Sequence, residues 1–106
     1  MISNTPLPPY YAVIFSSLRT DNNAGYTETN ALMNQLVIQQ DGFLGMESAQ
    51  SEIGVTISYW RDLAAIKTWK ENLLHKDTQK KGQQLWYSQY KVRIAKVERD
   101  YEFQKQ

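Results

Sequence analysis

The chain has 106 residues, 42% of them hydrophobic and 22% charged, the composition of one folded domain rather than of a disordered or fibrous segment. Twelve basic against eleven acidic residues leave a net charge of +1, too little to draw in nucleic acid or an anionic membrane surface. With no cysteine there is no disulfide framework and no thiolate metal site, and no apolar run approaches the ~20 residues of a membrane span. MISNTPLPPYY also lacks the charged and then apolar stretches of a secretion signal, so the expectation is a soluble cytoplasmic protein.

Residues 1–9, with Pro6, Pro8 and Pro9, read as a flexible N-terminal arm ahead of a single domain over residues 10–103. YYAVIFSSLR, Tyr10 to Arg19, is dense in aromatic and β-branched residues and predicts a strand. Thr20, Asp21 or Asn22 then offers an N-cap for a helix running to about Gln40. Leu32, Met33, Leu36 and Val37 form its buried face, with Glu28, Asn30, Asn34 and Gln35 placed elsewhere. Asp41-Gly42 ends it. FLGMESAQ (Phe43 to Gln50) and GVTISYW (Gly54 to Trp60) predict two antiparallel strands joined by a turn at SEIG.

Asp62 is placed to cap a second helix whose apolar stripe is Leu63, Ile66, Trp69, Leu73 and Leu74. From His75 to Tyr87 the chain is polar and predicts a further helical segment interrupted by Gly82. Tyr90 to Phe103 predicts a long fourth strand. The order β-α-β-β-α-β is the ferredoxin-like α+β arrangement, with a four-stranded antiparallel sheet.

Two helices cover only one face of such a sheet, so the strands should alternate apolar with polar. They do not. Tyr10, Ala12, Ile14 and Leu18 share one side of the first strand, while Tyr11, Val13 and Phe15 share the other. In the third, Val55, Ile57 and Tyr59 oppose Thr56, Ser58 and Trp60; in the fourth, Val92 and Ile94 oppose Ala95, Val97 and Tyr101. Both faces call for cover, which implies a symmetric homodimer with its sheets packed face to face. A fourth strand of ~14 residues, about 46 Å at ~3.3 Å per residue, is long enough to pair across that interface.

GFLGMES followed by VTISYWRDLAAIKTWKENLLH resembles the antibiotic biosynthesis monooxygenase domain over nearly the whole chain, from Tyr10 to about Tyr101, with Asp41 where proline is usual before Gly-Phe. The resemblance implies a dimeric α/β barrel whose cavity lies between sheet and helices. It also implies an activity of one of the family's kinds, the leading one being oxidation of electron-rich phenols by molecular oxygen without metal or flavin. In that chemistry the substrate supplies the electrons and the protein removes a proton and stabilises the enolate.

On that reading His75 and Trp69 are the candidate catalytic residues, His75 as a proton acceptor of near-neutral pKa and Trp69 as a stacking wall. Trp60, Tyr59, Phe15 and Tyr11 are the candidate substrate-binding residues. Each has a plainer reading: Trp60 and Trp69 as core packing, His75 in LLHKDTQKK as a solvated surface group. Tyr87 and Tyr90 belong to the same phenol-rich set. Arg61 and Arg93 offer charge for an enolate, with exposure the plainer alternative.

The family's haem-degrading branch places its iron-binding histidine ten residues after the helix tryptophan, which is Gln79 here. It also takes an asparagine from the first strand, where Phe15, Ser16 and Ser17 stand. Both departures argue against haem breakdown, and no cofactor or metal ligand set is expected. The function read from the sequence is therefore a cofactor-independent monooxygenase for a small aromatic or quinone-like compound. The alternative is a non-enzymatic dimer that binds a small molecule or haem.

Overall fold

The computed structural model describes residues 1–72 and 77–106 with their side chains. Strands β1 (Tyr10–Arg19), β2 (Phe43–Gln50), β3 (Gly54–Trp60) and β4 (Tyr87–Val97) form one antiparallel sheet in the order β2-β3-β1-β4. Helix α1 (Tyr26–Ile38) joins β1 to β2. Helices α2 (Leu63–Glu71) and α3 (Leu73–Lys81), then a π turn at Gly82–Trp86, join β3 to β4. This is the expected ferredoxin-like arrangement. No helix among the described residues is long and apolar enough to cross a membrane.

Because side chains in paired strands project to the same side at each register position, the sheet presents rows to the helices. Phe43, Trp60, Tyr11 and Lys96 form the first row. Met46, Ser58, Val13 and Ile94 follow, then Ser48, Thr56, Phe15 and Val92, and last Gln50, Gly54, Ser17 and Tyr90. The rows run from bulky and apolar to small and polar. The core sits at the bulky end, where Trp60, fully buried, packs with Val37, Ala65 and Ile66.

Asp62 caps α2 as expected, its carboxylate accepting from the Ala65 backbone N–H at 2.8 Å. Gly42, between α1 and β2, has φ +85°, and a Cβ there would stand 2.6 Å from the Ala65 Cβ. Only glycine meets both demands.

Four expectations are corrected. Helix α1 starts at Tyr26 with Gly25 at the N-cap, so neither Thr20, Asp21 nor Asn22 caps it. Thr20 and Asn22 instead close the preceding turn, accepting from the Asn22 and Ala24 backbone N–H, and the Thr20 hydroxyl donates to the Leu85 carbonyl. Leu63 and Leu32 are exposed at the margins of their stripes. The second helix ends at Glu71, with Asn72 in a non-helical conformation, rather than continuing through Leu74.

Strand β4 begins at Tyr87 and ends at Val97 instead of running from Tyr90 to Phe103. Among the described residues its only neighbour is β1, whose ends pair with Tyr87 and Val97, so the ladder has no partner there beyond them. Tyr101 and Phe103 follow as exposed, irregular chain.

The helix-free face carries Ala12, Ile14, Val55, Ile57 and Tyr59. One end of it meets both termini. The Ser3 backbone N–H donates to Glu47 at 2.7 Å, the Thr5 hydroxyl donates to the Tyr10 hydroxyl at 3.0 Å, and that hydroxyl donates to Asp100 at 2.5 Å.

Candidate functional site

A cavity of about 390 Å³ lies between the helix side of the sheet and the helices, in the middle rows where side chains are shorter. Val13, Phe15, Thr56, Ser58, Val92 and Ile94 form its sheet floor. Tyr26, Asn30, Met33, Asn34 and Val37 face it from α1, Ile66, Trp69 and Lys70 from α2, and Thr78 and Gln79 from α3. Val92 and Ile94 are 44% and 52% exposed, and the cavity opens to solvent past them on the β4 side.

Flat surfaces dominate the walls. Phe15 stacks on Tyr90 with ring centroids 5.2 Å apart, and Tyr87 meets both rings edge-on, at 5.4 Å from Phe15 and 5.9 Å from Tyr90. Trp86, whose indole N–H donates to the Ala24 carbonyl at 2.8 Å, holds Tyr26 edge-on at 5.4 Å. The Arg19 guanidinium lies 3.5 Å over the Tyr26 ring and also donates to the Trp86 carbonyl. The π turn thus locks the loop after β1 and aims Trp86 and Tyr87 inward.

Among the described residues, the only charged side chain lining the cavity is Lys70. The Tyr87 phenol is pushed well above its ordinary range, first by burial and then by the neighbouring Tyr26 hydroxyl, so it stays protonated. The remaining polar groups include the amides of Asn30, Asn34 and Gln79, the hydroxyls of Thr56, Ser58 and Thr78, and the phenols of Tyr26 and Tyr90. Among the described residues, no three His, Asp or Glu side chains cluster as a metal site would require.

The candidate residues separate in space. Phe15 and Trp69 line the cavity. Trp60 lies beneath it, fully buried, stacked on Trp69 at 6.4 Å and donating its indole N–H to the Ser58 hydroxyl at 2.8 Å. Trp60 therefore supports the wall without lining it. Tyr11 packs against the core in the same row as Trp60.

Tyr59 projects from the opposite face, where it donates to Glu47 at 2.8 Å; burial and that carboxylate raise its pKa to about 12. The side chain of His75 lies outside the described residues. Arg61 pairs with Asp41 at 2.9 Å, away from the cavity.

Gln79, where the haem-degrading pattern has histidine, faces the cavity with an amide. Sequence reasoning missed Tyr26, Asn30, Met33 and Asn34 as one lining stripe. Their spacing, continued to Val37, is that of a single helix face with amides set into it.

The family model described as antibiotic biosynthesis monooxygenase matches residues 9–81. The uncharacterized protein YqjZ of Bacillus subtilis strain 168 is 47% identical over 105 residues, covering 97% of this chain and 92% of that protein. Among solved structures, SnoaB, a cofactor-independent oxygenase from Streptomyces nogalater, superposes with a TM-score of 0.73 at 12% identity, over 86% of this chain and 95% of its own. Rv0793 from Mycobacterium tuberculosis superposes with a TM-score of 0.70 at 14% identity, over 88% of this chain and 97% of its own. At those identities the structural likeness establishes the fold. The extent of the family match and the identity to YqjZ establish that the chain belongs to the antibiotic biosynthesis monooxygenase family.

Proposed function

We propose that the chain is a cofactor-independent monooxygenase acting on a small, flat aromatic or quinone-like compound bound in the cavity between sheet and helices. The observation that carries this reading is the cavity itself: about 390 Å³ walled by Phe15, Tyr90 and Trp69, with neutral amide donors set into the rim. The name of SnoaB adds support, since a protein of the same fold is described as a cofactor-independent oxygenase.

For an anthrone-type substrate the ring is held between the Phe15–Tyr90 pair and Trp69. Removal of a ring methylene proton gives an enolate. Asn34, Asn30 and Gln79 supply N–H donors to its oxygen, and the Lys70 ammonium adds positive charge at the rim. His75 is the proposed proton acceptor. The enolate then passes one electron to oxygen, the two radicals join in a C–O bond, and loss of water leaves a new carbonyl. In balance, one CH₂ and one O₂ become one C=O and one H₂O.

The protein works, on this reading, as a symmetric dimer through its helix-free face, where Ala12, Ile14, Val55 and Ile57 form an apolar stripe with no helix above it. Sedimentation is expected to give a particle of twice the chain mass, and Ile57→Lys is expected to halve it.

The activity is tested by oxygen uptake with 1,8-dihydroxyanthrone on metal-stripped protein. The expected result is one O₂ per anthrone, at a rate about a hundredfold lower in a Trp69→Phe, His75→Ala double variant. Uptake no faster than in buffer, with both anthrones and hydroquinones, would replace this reading with that of a binding protein. In a parallel assay, a Soret shift on adding haemin would point to haem as the ligand.

A further inference from the structure

The small, polar end of the sheet forms a second cavity of about 220 Å³ that shares Tyr26, Asn30, Asn34, Met46, Thr56 and Tyr87 with the first. The two are one space with a mostly apolar chamber and a polar annex. The annex exists because the last sheet row has little in it. Ser17 on β1 pairs with Gly54 on β3, and Gly54 pairs with Gln50 on β2. A Cβ on Gly54 would stand 2.4 Å from the Gln50 amide oxygen, so the missing side chain lets the Gln50 amide lie against the sheet, where it forms part of the annex wall.

Ser17 forms part of the annex wall and is only 6% exposed, yet its hydroxyl has no hydrogen-bond partner among the described residues. A buried hydroxyl left without a partner is disfavoured relative to one that is satisfied. The other polar side chains there are Thr56, Ser48, Asn30, Asn34, Gln50 and the phenols of Tyr26 and Tyr87, and among the described residues no charged one lines the annex. A carboxylate or phosphate would enter without a counter-charge, whereas a hydroxyl, ketone or carboxamide would be met by neutral donors and acceptors.

We infer that the annex is a specificity subsite for an uncharged, hydrogen-bonding substituent on the flat substrate, with Ser17 as its recognising group. The inference rests on the proposed function for the ring-binding chamber. It adds the substrate's second half: a ring system carrying a neutral polar arm, directed toward the Ser17 end of the sheet.

The test uses four anthraquinones that differ only at position 2, bearing hydroxymethyl, carboxamide, methyl or carboxylate. Because they are already oxidised, they report binding without turnover. Affinity is read from quenching of tryptophan emission, since Trp69 and Trp86 line the chamber. The hydroxymethyl and carboxamide compounds are expected to bind about tenfold more tightly than the other two. Ser17→Ala is expected to erase that preference while leaving the methyl compound's affinity unchanged.

Equal binding of all four by the unmodified protein would overturn the annex and leave the chamber standing. So would a preference that survives in Ser17→Ala. Binding of none of the four would overturn both.

Discussion

The structure makes Trp60 a support of the cavity rather than part of its wall, and Trp60→Phe tests that assignment. The substitution removes the indole N–H that donates to Ser58 at 2.8 Å, a bond contributing about 1 kcal/mol. It also leaves a void of roughly 40 Å³ beside Phe43 and Trp69, worth ~1 kcal/mol at ~24 cal/mol per Å³. The expected loss is about 2 kcal/mol, a fall of about 10 °C in Tm for a domain of this size. Urea unfolding followed by far-ultraviolet circular dichroism, at one fixed protein concentration, measures it as a drop in midpoint at constant slope. Anthraquinone affinity should change less than about threefold, because Trp60 does not line the cavity. Unchanged stability with a tenfold loss of affinity would refute the assignment and return Trp60 to the binding wall.

Three further outcomes are expected. Gly42→Ala must place a Cβ at φ +85° and 2.6 Å from the Ala65 Cβ, so urea titration should show a loss of about 2–3 kcal/mol. Asn34→Ala should lower kcat about tenfold on an anthrone with the unfolding midpoint unchanged, since its amide lines the cavity and carries no packing role in the core. Asp62→Ala should lower the Tm at pH 7. The Ala65 N–H and Arg61 hold the Asp62 carboxyl below its ordinary 3.8, so its contribution is present above that pH and lost as pH falls through the depressed value. The Tm difference between parent and variant should therefore close below about pH 4 in a thermal melt series.

The sequence carried the local structure well where the signal was local. FLGMESAQ and GVTISYW became β2 and β3 with the expected ends, because a glycine turn and β-forming runs fix both. The end of β4 was not legible in its own residues: it stops at Val97 because β1, its only neighbour, begins at Tyr10. Likewise Thr20 and Asn22 have good capping chemistry, yet Thr20 is held in the turn by donating to the Leu85 and Trp86 carbonyls from far along the chain, and Asn22 is tied to it by its backbone N–H.

Phe15, a candidate substrate-binding residue, and Trp69, a candidate catalytic one, both line the cavity. Tyr59 and Trp60 are neighbours in one strand and so project to opposite faces, which rules out a shared cavity from alternation alone. The sequence pattern places Asn30 and Asn34 off the apolar face of α1, yet both line the cavity. A stripe in which buried Met33 and Val37 alternate with half-buried Asn34 and exposed Asn30 is the pattern of a helix that lines an open cavity rather than a closed core.

The most direct measurement of the central claim is the crystallographic position of a bound 2-hydroxymethylanthraquinone. Density for the ring is expected between the Phe15–Tyr90 pair and Trp69, with the hydroxymethyl oxygen within hydrogen-bond distance of Ser17. Density on the helix-free face, against Ile14 and Ile57, with the cavity still filled by solvent, would contradict it.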